Sequence, residues 1–280
     1  MKSGITAAVI AGALLAAGVS GAVLGLSGGG APSTVVPAAA ATGHPRVIAD
    51  RDDLRACEER LAASWQADRR RVPVMAILGA SYTAGVGPDQ AGSSWAVLLA
   101  RHLHYDAVIY GVPGAGYVRT GSGDRGPLVR MLHRIRLARL DPSVFVIQLG
   151  HDDMGVPPEV ERHAVQHAIT LIRSEYPDAR IALVTVFTTR GGDTVAARRT
   201  DSAIVSAARS ADRNVIIMDP LTGHWNFPHA DDGTGLHPTA AGDKWIAREV
   251  ARDLAVRGVR PATGGSATVV CDSGIPRRPV

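Results

Sequence analysis

The sequence predicts an α/β fold, a three-layer α/β/α arrangement around a five-stranded parallel sheet of flavodoxin-like order. Three observations carry this expectation. From Val72 onward, apolar runs of strand length alternate with amphipathic stretches at helical spacing. The runs are apolar at consecutive positions, as strands covered on both faces require. Regular alternation of the two joins parallel strands through helices that lie on either side of the sheet.

Taken in order, the strands are expected in "VPVMAILGA" (72–80), "DAVIYGV" (106–112), "SVFVIQLG" (143–150), "ARIALVTVFTT" (179–189) and "NVIIMDP" (214–220). The helices between them are expected near Ser94 to His104, Pro127 to Leu140, Pro158 to Tyr176 and Val195 to Asp212, with a last one from Thr239 to Val256. Before the first strand, "RVIADRDDLRACEERLAASWQADRR" has apolar residues at helical spacing and is read as an added helix packed on the domain. The organisation is then a leader and linker start (1–41), a helical extension (42–71), the α/β domain (72–258) and an irregular tail (259–280) that only Cys271 fastens.

The leader, "MKSGITAAVIAGALLAAGVSGAVLG", has one lysine and then a long apolar run, followed by Gly, Pro, Ser and Ala up to "VVPAAAATGHP". A short positive start, an apolar stretch and small residues make an export signal cut near Ala38 to Ala41. The run is also long enough to serve as an uncleaved membrane anchor. Either way, the folded part lies outside the cytoplasm. The chain's two cysteines, Cys57 and Cys271, bracket the domain, and such a pair in an oxidising compartment is expected to bond.

Thirty Lys and Arg against 26 Asp and Glu leave a formal charge of only +4, and the densest basic run, Arg69 to Arg71, has no aromatic residues interleaved for base stacking. Nucleic acid is therefore not an expected partner. His102 and His104 end one helix, and His163 and His167 lie four apart on another, with no further ligands converging on either pair. No metal is expected. "GVPGAG" (111–116) follows the second strand and lacks dinucleotide-fingerprint spacing, so no cofactor is expected either.

Ligands of open parallel sheets bind beyond the carboxyl ends of the strands, where strand order reverses. In the order 2-1-3-4-5, the loops after the first three strands lie side by side. They carry Ser81, "GVPGAG" and "GHDD" (150–153), while "HADDGTGLHPTAAGD" places His237 just before the last helix. A serine, a histidine, glycine N–H groups and a polar side chain at one rim are the parts of an acyl-transfer site.

"GAS", "GVPGAG", "LGHDD" and "LHPTAAG", in this order between Val72 and Val256, resemble the SGNH (GDSL-type) hydrolase family of serine esterases and lipases. The resemblance implies that Ser81 is the nucleophile and one oxyanion donor through its own N–H. It implies that the Gly114 N–H is a second donor and that His237 is the general base. The family's Gly-Asp-Ser is Gly79-Ala80-Ser81 here, a change away from the proton-transfer groups. Two departures touch the chemistry. The third oxyanion donor, an asparagine in the family, is Asp152, and an ionised carboxylate only accepts hydrogen bonds. Burial beside Asp153 would raise the pKa of Asp152, and a neutral carboxyl would restore a donor. The acid three residues before the histidine is Thr234; Asp232, then Asp231, are the alternatives for orienting His237, as is a backbone carbonyl.

The expected function is an exported serine esterase acting on carboxylic esters of glycans or lipids, with no cofactor. An acyltransferase using the same site and a catalytically silent binding protein of the same fold stand as alternatives.

Overall fold

The computed structural model describes residues 51–67, 72–87, 94–187, 194–223, 225, 236–263 and 269–272. They all fall in one compact unit, Gly43–Val280. Six parallel strands form one sheet: β1 (Val74–Gly79), β2 (Asp106–Gly111), β3 (Val144–Gln148), β4 (Arg180–Val184), β5 (Ile216–Met218) and β6 (Val270–Asp272). Their order is β5-β4-β3-β1-β2-β6, so the first five strands have the flavodoxin-like order.

The sixth strand corrects the expectation of five strands and an irregular tail. Val270 to Asp272 pair in parallel with Ala107 to Ile109 on the free edge of β2. Just before them, the Val269 N–H donates to the Asp106 carboxylate at 2.8 Å, and the Ala107 N–H donates to the Val269 carbonyl at 2.8 Å. The disulfide between Cys57 and Cys271 joins this strand to α1 (Arg51–Ala67).

Strand periodicity divides the core. In β1, Val74, Ala76 and Leu78 face the layer holding α1, α4 (Leu128–Leu137), α5 (Pro158–Glu175) and α6 (Val195–Ala211). Met75 and Ile77 face the opposite layer, built from α3 (Trp95–His102) and α7 (Ala240–Val256). All five are buried, which accounts for the unbroken apolar run in the sequence. The helix starts follow from local chemistry: the side chains of Ser94, Thr194 and Thr239 accept hydrogen bonds from Val97, Ala197 and Gly242 N–H, and Pro158 occupies the first turn of α5. The helix between β2 and β3 ends at Leu137, three residues earlier than its apolar pattern suggests, because Arg139 has a positive φ of 55°.

The loops that follow β1, β2 and β3 emerge together. Gly79 pairs with both Gly111 and Gln148, and beyond these pairs the Val112 N–H donates to the Gly79 carbonyl and the Ala80 N–H to the Gln148 carbonyl. This rim at the strand ends is where the candidate site lies.

Candidate active site

Ser81 opens a one-turn helix, α2 (Ser81–Ala84), directly after β1. The turn is pressed onto the strand ends more closely than side chains allow. A Cβ on Gly79 would lie 2.0 Å from Thr83 Oγ1 and 2.8 Å from the Gln148 carbonyl, and one on Gly111 would lie 2.3 Å from the Ala84 backbone. Glycine at both positions is therefore a packing requirement. The buried Thr83 hydroxyl donates to Gln148 Oε1 at 3.0 Å, which anchors the turn to β3, and Gly85 closes it in the left-handed conformation. Ser81 is thus held half-buried at the rim.

The next residue links Ser81 to the histidine loop. The Tyr82 hydroxyl donates to the Leu236 carbonyl at 2.5 Å, and its ring lies 5.8 Å from the His237 imidazole and 5.2 Å from Phe187. His237 is half-buried, just before the Thr239 cap of α7. Sequence reasoning did not single out Tyr82; an aromatic residue directly after the serine was the available signal, and only the fold reveals its partner 154 positions away.

Gly114 is exposed with φ +77°. The nearest atom to a Cβ there would be Gly121 Cα at 3.5 Å, so conformation rather than space calls for glycine. Among the described residues, no backbone carbonyl accepts the N–H of either Ser81 or Gly114.

Gly150, with φ +114°, bends the chain after β3 at a point where a Cβ would meet Ile204 Cδ1 at 2.4 Å. The turn presents Asp152 and Asp153. Asp152 is pushed up to about 6 by burial and by the charge of Asp153, against the opposing pull of His237 and Arg119. The Asp152 carboxyl thus shares its surroundings with the imidazole. Asp153 was read from the sequence only as a like-charged neighbour. It is fully buried, and its carboxylate accepts the N–H groups of Tyr117 (2.6 Å), Val118 (3.3 Å) and Arg119 (3.0 Å).

Asp231, Asp232 and Thr234 lie outside the described residues. Among the described residues, no three His, Cys, Asp or Glu side chains are grouped to hold a metal ion. The S–S distance between Cys57 and Cys271 is 2.00 Å.

The model of the GDSL-like lipase/acylhydrolase family matches residues 77–245, more than half of the chain and the whole span from β1 into α7. The chain belongs to this family. A search of curated protein sequences finds no match. Among solved structures, this GDSL/SGNH chain is similar to a family 2 carbohydrate esterase with a carbohydrate-binding domain from Corynascus thermopiles (Myceliophthora fergusii), at TM-score 0.53 and 22% identity over 66% of each chain. It is similar to a family two carbohydrate esterase from Clostridium thermocellum in complex with cellohexaose, at TM-score 0.52 and 20% identity, covering 66% of this chain and 64% of that one. It is also similar to TesA, at TM-score 0.53 and 19% identity, covering 66% of this chain and 99% of TesA. At these identities the likeness is one of fold.

Proposed function

We propose that this GDSL/SGNH hydrolase is an exported serine esterase that cleaves carboxylic esters of glycans or lipids through an acyl-enzyme, without a cofactor. The observation that supports it best is the meeting of chain segments at one rim. Tyr82, next to Ser81, bonds to Leu236, next to His237, while the loops of Gly114 and Asp152 flank the same strand end. Glycans are favoured by the carbohydrate esterases among its structural neighbours. Export is favoured by the leader and by the Cys57–Cys271 disulfide, which belongs to an oxidising compartment. Among the described residues, no helix is long and apolar enough to cross a membrane, and the leader lies outside them; anchoring through the uncleaved leader is the alternative to its removal.

In this reading Ser81 Oγ attacks the ester carbonyl carbon as His237 takes the hydroxyl proton. The carbonyl oxygen becomes an oxyanion facing the N–H groups of Ser81 and Gly114. Collapse of the tetrahedral species breaks the bond to the alcohol oxygen, which leaves with the proton returned by His237. Water, deprotonated in turn by His237, then attacks the acyl-enzyme, releases the acid and restores Ser81. Asp152 assists as a neutral O–H donor to the oxyanion. Asp232, or after it Asp231, orients the imidazole in the place of the absent acid at Thr234.

Initial rates on p-nitrophenyl esters of increasing acyl length, and on an acetylated oligosaccharide, test the proposal. Ser81→Ala and His237→Ala are each expected to lower kcat by at least a thousandfold with the fold intact. As parts of one unit, they are expected to lose little more when combined. Unchanged hydrolysis in either variant would refute the assignment. The carboxyl at the third oxyanion position favours one second reading, a silent binding protein, in which the wild-type chain binds such ligands but turns none over.

A further inference from the structure

Below the loop that carries Gly114 lies a pair of buried carboxyl groups for which the proposed reaction has no use. Asp153, from the turn after β3, receives three consecutive N–H groups of that loop, at Tyr117, Val118 and Arg119. The approach is so close that a Cβ on Gly116 would fall 2.0 Å from Asp153 Oδ2. The loop is otherwise folded on itself: the Gly116 N–H donates to the Arg119 carbonyl, Ala115 bridges to Thr120, and the Ser122 N–H donates to the Pro113 carbonyl. Among the described residues, Asp153 is thus the polar side chain that ties the 117–119 turn to the β3 end. Behind Asp153 stands Glu161 of α5, 1% exposed, and among the described residues no N–H or O–H donor reaches either of its oxygens.

Two adjoining carboxyl groups with one set of donors share a single proton. The three N–H groups favour the charge on Asp153, so the proton resides on Glu161 and is given to Asp153. We propose that Asp153, backed by protonated Glu161, is a positioning residue that holds the Gly114 loop in its working conformation beside Ser81. Its catalytic part rests on the esterase reading; its structural part does not. Glu161 is pushed up to about 8, first by burial and then by the charge of Asp153 and the hydrogen bond to it. Above that pH a second buried negative charge appears next to the first. The surrounding groups are the Tyr117 hydroxyl and Arg119 on the loop, Asp152 on the adjoining turn and Asp201 on α6, and only Arg119 is cationic. The clamp is therefore expected to loosen as pH rises through about 8.

The test combines amide hydrogen exchange of the 112–121 segment with kcat and KM on p-nitrophenyl acetate, from pH 6 to 9.5, for the full chain, Asp153→Asn and Glu161→Gln. In Asp153→Asn, whose amide turns a donor toward some of the same N–H groups, the Tyr117 and Arg119 amides are expected to lose at least tenfold of their protection. Its kcat is expected to fall at least tenfold with KM within twofold. Glu161→Gln keeps a neutral donor to Asp153, so it is expected to match the wild type in loop protection at pH 7 and to keep that protection above pH 8, where the wild type loses it; its kcat above pH 8 is expected to fall less steeply than that of the wild type, the remaining decline belonging to Asp152. Wild-type protection persisting in Asp153→Asn, or identical alkaline behaviour of Glu161→Gln and wild type, would overturn the proposal. Should Asp153→Asn not fold, the Glu161→Gln comparison decides alone. A wild-type chain that is inactive at every pH sinks the esterase reading, while the exchange data still decide the clamp.

Discussion

At the scale of residues, the proposed chemistry turns on Asp152. In that reaction it would help as a neutral carboxyl and hinder as a carboxylate, and its surroundings set the change at about pH 6. The sign follows. In the proposed reaction Asp152 loses its donor as pH rises through about 6, so activity is expected to decline on the alkaline side. The wild-type kcat is therefore expected to fall as pH rises from 6 to 8. Asp152→Asn has a donor that does not titrate, so the decline that begins near pH 6 is expected to vanish in it, with kcat at pH 8 at least tenfold above wild type and only the loss above about pH 8 from the Glu161 clamp remaining. Loss of activity at all pH values in this variant would mean that the carboxylate itself is needed. Ser81, Gly114 and His237 could be nominated from the sequence because their residue types and motif positions suit the proposed chemistry, and the fold brings the loops of Ser81 and His237 together. Tyr82 and Asp153 were not legible, because their roles consist of bonds to backbone groups that the fold brings from 154 and about 35 positions away.

At the scale of elements, the seating of α2 on the sheet decides where Ser81 stands. Adding one methyl at Gly79 would force apart Thr83 and the β3 carbonyl, a clash of the overpacking kind that costs about 1–3 kcal/mol. Gly79→Ala is expected to lower the melting temperature by several degrees and to reduce kcat with little change in KM; unaltered thermal melting would show that the turn yields more easily than its packing implies. The alternation of apolar runs and amphipathic helices made β1 to β5 and the sheet order readable, since each strand is covered on both faces. The three-residue β6 was not readable. So short a run, among Gly, Ser and Pro, has no measurable period, and what fixes it is the open edge of β2, the Asp106 carboxylate and the bond to Cys57.

At the scale of the whole molecule, two features set stability. The disulfide closes a separation of 214 residues, which in the chain-entropy model contributes about 5 kcal/mol. Cys57→Ser combined with Cys271→Ser is expected to lower the denaturation midpoint without removing the sheet, and two free thiols in the protein purified under oxidising conditions, found by mass spectrometry, would contradict the bonded form. The second feature is a set of buried carboxyl groups raised mainly by desolvation: Asp152 and Asp201 to about 6, Asp243 to about 7 and Glu161 to about 8. Each raised group favours the folded state fully below its unfolded pKa near 4, and that contribution is lost as pH rises through its folded value. Melting temperature is therefore expected to fall between pH 5 and pH 9, and a rise over that interval would contradict these assignments. The central claim, an activated serine at the rim of this sheet, is tested most directly by reaction with a fluorophosphonate and mapping of the adduct by mass spectrometry. One adduct is expected, on Ser81, absent in Ser81→Ala and slowed at least a hundredfold in His237→Ala; no adduct on the folded wild-type chain, or equal labelling of the His237→Ala variant, would contradict an activated serine there.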